Sequence, residues 1–294
     1  MANLKQIKRR IKSARNIRKI TKTMKMVAVA KVQKAKRLEA ANTRFVAELA
    51  NLVGDIQSDG DLNALMAELP WCQVRPQVKT QWFILLSSDR GLCGSYNSGL
   101  LKDFVLRYQQ DLKAGIQSQV IAVGKKAILA CKKNNIPLQN SFTPLPQNPS
   151  SAMAKSVADA VMVTFAKAGV DRVLLCFNRY VSMVKSERAF QNLLPVQALP
   201  SRSSGVKTHW NIEPSAQSVL QSLLPLLVES QIYYALLSAS ASEHAARMLA
   251  MSSATDSASE MIQSLNLKYN KARQAAITKE ILEIVGGAKA LKKN

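Results

Sequence analysis

Few residues of this chain have the type and spacing to do covalent chemistry. Ser88, Asp89 and Cys93 sit together in SDRGLCGSYN, directly after the apolar run Trp82–Leu86, where a strand often hands a nucleophile to a turn. A nucleophile there needs a base within hydrogen-bond reach, and the chain has two histidines, His209 and His244, both remote in sequence. The segment therefore reads as a strand-to-helix turn that needs glycine for its backbone and a polar cap for its helix. Glu280 and Glu283 fall at i, i+3 on a helical stretch, where solvated or partner-facing carboxylates are commoner than an acid and base pair. Cys72, Cys93, Cys131 and Cys176 show no CxxC spacing, which suggests neither a zinc site nor a disulfide framework and fits a reduced cytosolic setting. No catalytic, cofactor-binding or metal-binding residue is assigned.

Nucleotide signatures fail as well. Gly91, Gly94 and Gly99 follow the first apolar run at the wrong spacing for GxGxxG. Gly124 and Lys125 have Gln119 and Lys126 where a phosphate loop requires Gly and Ser or Thr.

The elements around these residues are more informative. Between Leu226 and Val285 there is no proline and no glycine, and the segment favours one uninterrupted helix of about 90 Å. Ala241, Ala245, Met248, Ser252, Thr255, Ala258, Ile262, Leu265, Tyr269, Ala272 and Ala276 form a stripe at helical spacing. Its small residues let another backbone approach but bury too little to stabilise the helix alone. The first 53 residues also lack Pro and Gly, with Leu4, Ile7, Ile11, Ala14, Ile17, Thr21, Met24, Ala28, Val32, Ala35, Leu38, Asn42, Phe45, Leu49, Leu52 and Ile56 at the same spacing. Two such stripes, leaving and returning to one intervening domain, predict an antiparallel coiled coil.

In between, short apolar runs alternate with amphipathic ones. Strands are predicted at Trp82–Leu86, Gln119–Val123, Pro137–Phe142 and Arg172–Phe177, with helices at Leu100–Lys113, Lys125–Asn134 and Ser151–Ala168. Tyr180–Lys185 and Gln191–Val196 are expected to add an antiparallel edge, and Pro225 to kink or delay the return helix. The fold class is α/β: an open, mainly parallel Rossmann-like sheet inserted between two long helices. The expected parts are an N-terminal coiled-coil helix 1–57, a linker 58–79 with a short turn of helix at Leu62–Leu69, a sheet domain 80–198, a second linker 199–211 and a C-terminal coiled-coil helix 212–294.

The chain carries 41 Lys and Arg against 19 Asp and Glu, a net +22, which usually signals a polyanion, a membrane surface or an acidic partner. Fourteen of the basic residues precede the first acid, Glu39. A basic, acid-poor N-terminus also fits a transit peptide, but Ser13 is the only serine before Ser58 and the apolar stripe runs through it. No run reaches 18 consecutive apolar residues.

Three stretches converge on one family. IKRRIKSARNIRKITKTMKMVA, SDRGLCGSYN and the C-terminal pair ASEHAARMLAMSSATDSAS and YNKARQAAITKEILEIVGGAKAL together resemble the gamma subunit of the rotary proton-translocating ATP synthase. The resemblance covers the chain in order. It implies a non-catalytic central-stalk rotor, whose coil stands inside a ring of alpha and beta subunits and whose sheet domain meets the epsilon subunit and the membrane c-ring. It places coupling residues at Met24, Arg247, Arg273, Gln274, Thr278, Glu280 and Glu283, and sets Lys8, Arg9, Lys12, Arg15, Lys19, Lys22 and Lys25 toward an acidic loop of the catalytic subunits. It also implies Met24 near Arg247, hence Leu4 level with about residue 267, and an apolar end of the helix that needs a sleeve. Ser257 and Ser95 depart from the family's usual Asn and Gly, and the cysteine-bearing insertion of chloroplast forms is missing. A peripheral place on the cytoplasmic side of a bacterial inner membrane is expected. A nucleic-acid-binding coiled coil remains the alternative suggested by the basic helix, and a Rossmann-type enzyme would need a bound cofactor.

Overall fold

The computed structural model of the chain describes residues 4–291 apart from 59, 147, 168, 198–212 and 214. In chain order it forms α1 (Leu4–Ser58), α2 (Gly60–Glu68), a 3-10 turn (Pro70–Cys72), β1 (Thr80–Leu86), α3 (Tyr96–Lys113), β2 (Gln117–Val123), α4 (Lys125–Lys133), β3 (Leu138–Phe142), α5 (Ser151–Ala166), β4 (Arg172–Tyr180), β5 (Ser186–Leu194) and α6 (Ala216–Leu291). Among the described residues no helix is long and apolar enough to cross a membrane.

The five strands make one sheet in the order β3-β2-β1-β4-β5, parallel except for β5 at one edge. Central β1 is buried from Gln81 to Leu86, which is why its sequence reads as an unbroken apolar run. Alternate side chains serve opposite faces. Phe83, Leu85, Val120 and Ala122 meet Leu100 and Phe104 of α3 and Ala127 and Cys131 of α4. Trp82, Ile84, Ile121 and Leu175 meet Val157, Val161 and Phe165 of α5, together with Leu49, Val53 and Ile56 of α1 and Leu220, Leu224, Leu227 and Ile232 of α6.

The chain divides into two compact units: Ala28–Arg247, which holds the sheet with the adjoining parts of α1 and α6, and a second made of α1 up to Val27 with α6 from Met248. In the second unit the helices run antiparallel. The Thr255 hydroxyl donates to that of Thr21 at 2.8 Å, and the Lys25 ammonium to the Ser252 hydroxyl at 2.9 Å.

Several expectations need correction. Tyr180–Lys185 is not an edge strand: Tyr180 ends β4, Val181 and Ser182 donate to the Lys185 carbonyl in a tight turn, and the edge strand is Ser186–Leu194. The helix of the first linker starts at Gly60, ahead of the expected Leu62. Pro225 does not interrupt α6. Leu224 and Leu227 are fully buried on either side of it, and exposed Gln221, four residues before the proline, leaves the freed carbonyl beside water. Ile17, Leu38 and Phe45 of the N-terminal stripe are 50%, 37% and 46% exposed, while Glu39 is buried in place of its neighbour Leu38. Stepping outward from the Thr21–Thr255 and Lys25–Ser252 pairs brings Leu4 level with residues 272–273, about five beyond the expected 267. Small seam residues tolerate several registers, and the two polar pairs select this one. The second linker, 199–211, lies outside the described residues.

Candidate functional site

Ser88, Asp89 and Cys93 are spent on the turn itself. The Asp89 carboxylate accepts from the backbone N–H of Lys125 at 2.8 Å and of Leu145 at 2.7 Å, so it caps α4 and fixes the loop after β3. The Ser88 hydroxyl donates to the Arg90 carbonyl at 2.7 Å, and Asn97 donates through Nδ2 to the Cys93 sulfur at 3.2 Å. Burial pushes the Cys93 thiol up, the opposite of what a nucleophile needs. Leu92, at φ 61°, takes the left-handed backbone in the middle of this turn and is 64% exposed.

Sequence reasoning missed what lies against the turn. The Arg247 guanidinium donates to Glu243 Oε1 at 2.6 Å and to the Gly91 carbonyl at 3.3 Å, and lies 3.1 Å from His244 Nδ1. Arginine has no acceptor, so Nδ1 carries the lone pair and His244 is a neutral imidazole with its proton on Nε2. Burial, then the neighbouring Arg247 and Lys31 charges, lower the His244 pKa to about 4, which keeps it neutral at ordinary pH. Lower on the same helix, the Ser242 hydroxyl donates to the Asn178 carbonyl at 3.0 Å, and Ser238 Oγ accepts from the Tyr180 N–H at 2.8 Å. Ser238 also bonds the buried carboxylate of Glu39, whose pKa is raised by desolvation. The advance signals were the run of small and polar residues SASASEHAAR and the resemblance that singled out Arg247, neither of which pointed to the Gly91 carbonyl.

In the other unit the predicted coupling residues are spread along the helices and form no common cluster. Met24 is half-buried, level with Ser252 and Ser253. Arg273, Gln274, Thr278, Glu280 and Glu283 are exposed; Thr278 Oγ1 donates to the Gln274 carbonyl at 3.0 Å, and Glu283 lies 3.6 Å from Lys279. Lys8, Arg9, Lys12, Arg15, Lys19 and Lys22 are exposed, whereas Lys25 is half-buried and turned onto Ser252. All eleven residues of the C-terminal stripe, from Ala241 to Ala276, are buried or half-buried. Beyond them Ile277, Ile281, Leu282, Ile284 and Val285 are 47%, 54%, 66%, 71% and 48% exposed. An apolar run this open is the mark of an interaction surface. Among the described residues no group of three or more His, Cys, Asp or Glu could hold a metal ion.

Known proteins share this arrangement. The ATP synthase family model matches residues 3–291. A protein of Exiguobacterium sp. named ATP synthase gamma chain is 38% identical over 99% of this chain and 100% of its own length. Another of the same name, from Brevibacillus brevis, is 38% identical over 98% of each. Among solved structures, a chain of the central stalk and c-ring of the Tetrahymena thermophila mitochondrial ATP synthase matches at 26% identity and TM-score 0.63, over 80% of this chain and 99% of that one. A chain of the Euglena gracilis mitochondrial ATP synthase shares the fold at 20% identity and TM-score 0.66, over 98% of this chain and 94% of that one. The sequence stretches, the sheet between two long helices and these matches agree, and the chain belongs to the ATP synthase gamma chain family.

Proposed function

We propose that this chain is the central-stalk rotor of a proton-translocating ATP synthase, passing torque between an ion-driven membrane ring and a ring of alpha and beta subunits that does the chemistry. The observation that carries the proposal is the open apolar end of α6. Five large aliphatic side chains, each about half or more exposed, are too costly to leave in water and call for a surrounding sleeve of other polypeptides. The helix pair is also uneven in charge, with its basic residues concentrated on α1. Such a rod touches each surrounding subunit differently, so each orientation biases one toward a different conformation by differential contact energy.

On this reading Met24, Arg273, Gln274, Thr278, Glu280 and Glu283 meet the surrounding subunits, with Arg247 as a further coupling residue. The exposed row Lys8, Arg9, Lys12, Arg15, Lys19 and Lys22 faces an acidic loop of the catalytic subunits, with half-buried Lys25 at its edge. The sheet domain meets the epsilon subunit and the c-ring. The working parts are taken as 1–57, 58–79, 80–198, 199–211 and 212–294. The place of action is the cytoplasmic face of a bacterial inner membrane, held there peripherally by partners.

The test is reconstitution. The isolated chain is expected neither to bind nor to hydrolyse ATP appreciably, and to restore coupled hydrolysis when added to alpha and beta subunits. A bead fixed to the sheet domain of that complex should turn when ATP is supplied; turnover by the purified chain alone, or a complex that hydrolyses ATP with a motionless bead, would overturn the reading.

A further inference from the structure

We propose that Arg247 is a positioning residue of the rotor: it keys the turn after β1 to α6, so that sheet and helix rotate as one body. The inference rests on the rotor reading, because only a part that transmits torque needs this joint to be free of play.

The joint is a set of three polar contacts made by successive turns of α6. Ser238 accepts from the Tyr180 N–H, Ser242 donates to the Asn178 carbonyl, and Arg247 donates to the Gly91 carbonyl. The first two grip β4, a strand hydrogen-bonded to neighbours on both sides. The third alone, among the described hydrogen bonds, joins α6 to the turn at the end of β1. That turn is held internally by the Ser88 and Asn97 side chains and by the Tyr96 N–H donating to the Cys93 carbonyl, which fixes its shape without fixing it to the helix.

Arginine suits this position for a physical reason. Its planar fork presents five N–H groups in a fixed geometry, whereas lysine offers a point charge on a flexible stem. Here Nη1 meets His244, while Nη2 donates to both Glu243 and the Gly91 carbonyl, so the two side chains aim the fork at Gly91. The side chains of Arg247 and Glu243 are only 11% and 18% exposed, so little of this guanidinium is left to reach a separate subunit. Arg247 therefore acts through the chain's own turn, and exposed Leu92 and Arg90, on either side of Gly91, move with it.

The test uses the full chain and its complex with alpha and beta subunits. In the full chain, Arg247→Gln should speed amide hydrogen exchange across residues 90–97 about tenfold, with Arg247→Lys and Glu243→Gln in between. In the complex, a bead on the sheet domain should show about twice the angular variance during pauses when Arg247→Gln replaces the wild type, and Arg247→Lys should recover part of the difference. Should Arg247→Gln fail to fold, Arg247→Lys and Glu243→Gln carry both measurements. Exchange within about twofold of wild type in all three variants overturns the key, whatever the complex does. Faster exchange with unchanged angular variance overturns the torque role and leaves the rotor reading standing, while a wild-type complex whose bead never turns condemns the rotor reading and this one with it.

Discussion

Replacing Leu282 and Ile284 together by alanine isolates what the open end of α6 contributes. The two side chains are 66% and 71% exposed, so about two-thirds of each remains to be covered by a partner. Each change removes about three carbons, worth roughly 0.8 kcal/mol apiece on burial. Two-thirds of that is about 1.5 kcal/mol per residue, and about 3 kcal/mol for the pair. Alanine is the strongest helix former, so the helix itself is not weakened. The expected result is an affinity for the ring of alpha and beta subunits lower by about a hundredfold, measured by competition with labelled wild-type chain. Urea unfolding of the sheet domain, followed by the fluorescence of Trp71 and Trp82, should not move, since neither substituted side chain belongs to that core. Assembly within about threefold of wild type would refute the sleeve, and a shifted sheet-domain midpoint would show that the end of α6 stabilises the chain's own core.

Three further outcomes can be checked on the chain alone. Burial raises the Asp171 carboxyl, but the Thr80 and Lys79 N–H groups, the Arg75 guanidinium and the Thr80 hydroxyl outweigh it and bring the pKa down to about 2. Asp171→Asn should therefore cost about 2 kcal/mol near neutral pH, a difference that shrinks as pH falls from about 4 toward 2, in urea titrations at each pH. Thr21→Val with Thr255→Val should leave the helix pair as stable or slightly more so but blur its register, so that a disulfide engineered beside the pair forms less selectively. Cys72 is half-buried and Cys131 fully buried, with burial pushing both thiols up to about 11; Cys93 and Cys176 are buried and raised in the same way. A thiol reagent at pH 8 should label the native chain at least about tenfold more slowly than the urea-unfolded chain.

The sheet was legible because its central strands are buried on both faces and announce themselves as WFILL, QVIAV and RVLLCF. The edge was legible only from Gln191 on, where β5 runs antiparallel as expected; its Ser186–Phe190 stretch is exposed or half-exposed and carries no apolar alternation to mark it off from the turn before it. Helix spacing located both stripes, but steps of three and four do not divide evenly into 3.6 residues per turn. Over fifty residues the true face drifts, which is how Leu38 came to be expected inside where Glu39 is found. A buried glutamate in a basic helix is visible only once Ser238 appears beside it. The Arg247 joint was hidden for a similar reason: its partner in the turn lies 156 residues away in the chain, and it is a backbone carbonyl that no side-chain pattern marks.

The short side chains in the seam of the helix pair have a mechanical consequence. Ala14, Thr21, Ser252, Thr255 and Ala258 are buried or half-buried there, and residues this short let two backbones lie close together. Resistance of a rod to twisting falls steeply as its radius shrinks, so a slender pair yields more under the same couple than one spaced by leucines. Filling the seam with bulkier residues would stiffen the spring, and discrete steps at its two ends would then be felt by each other sooner and with less smoothing.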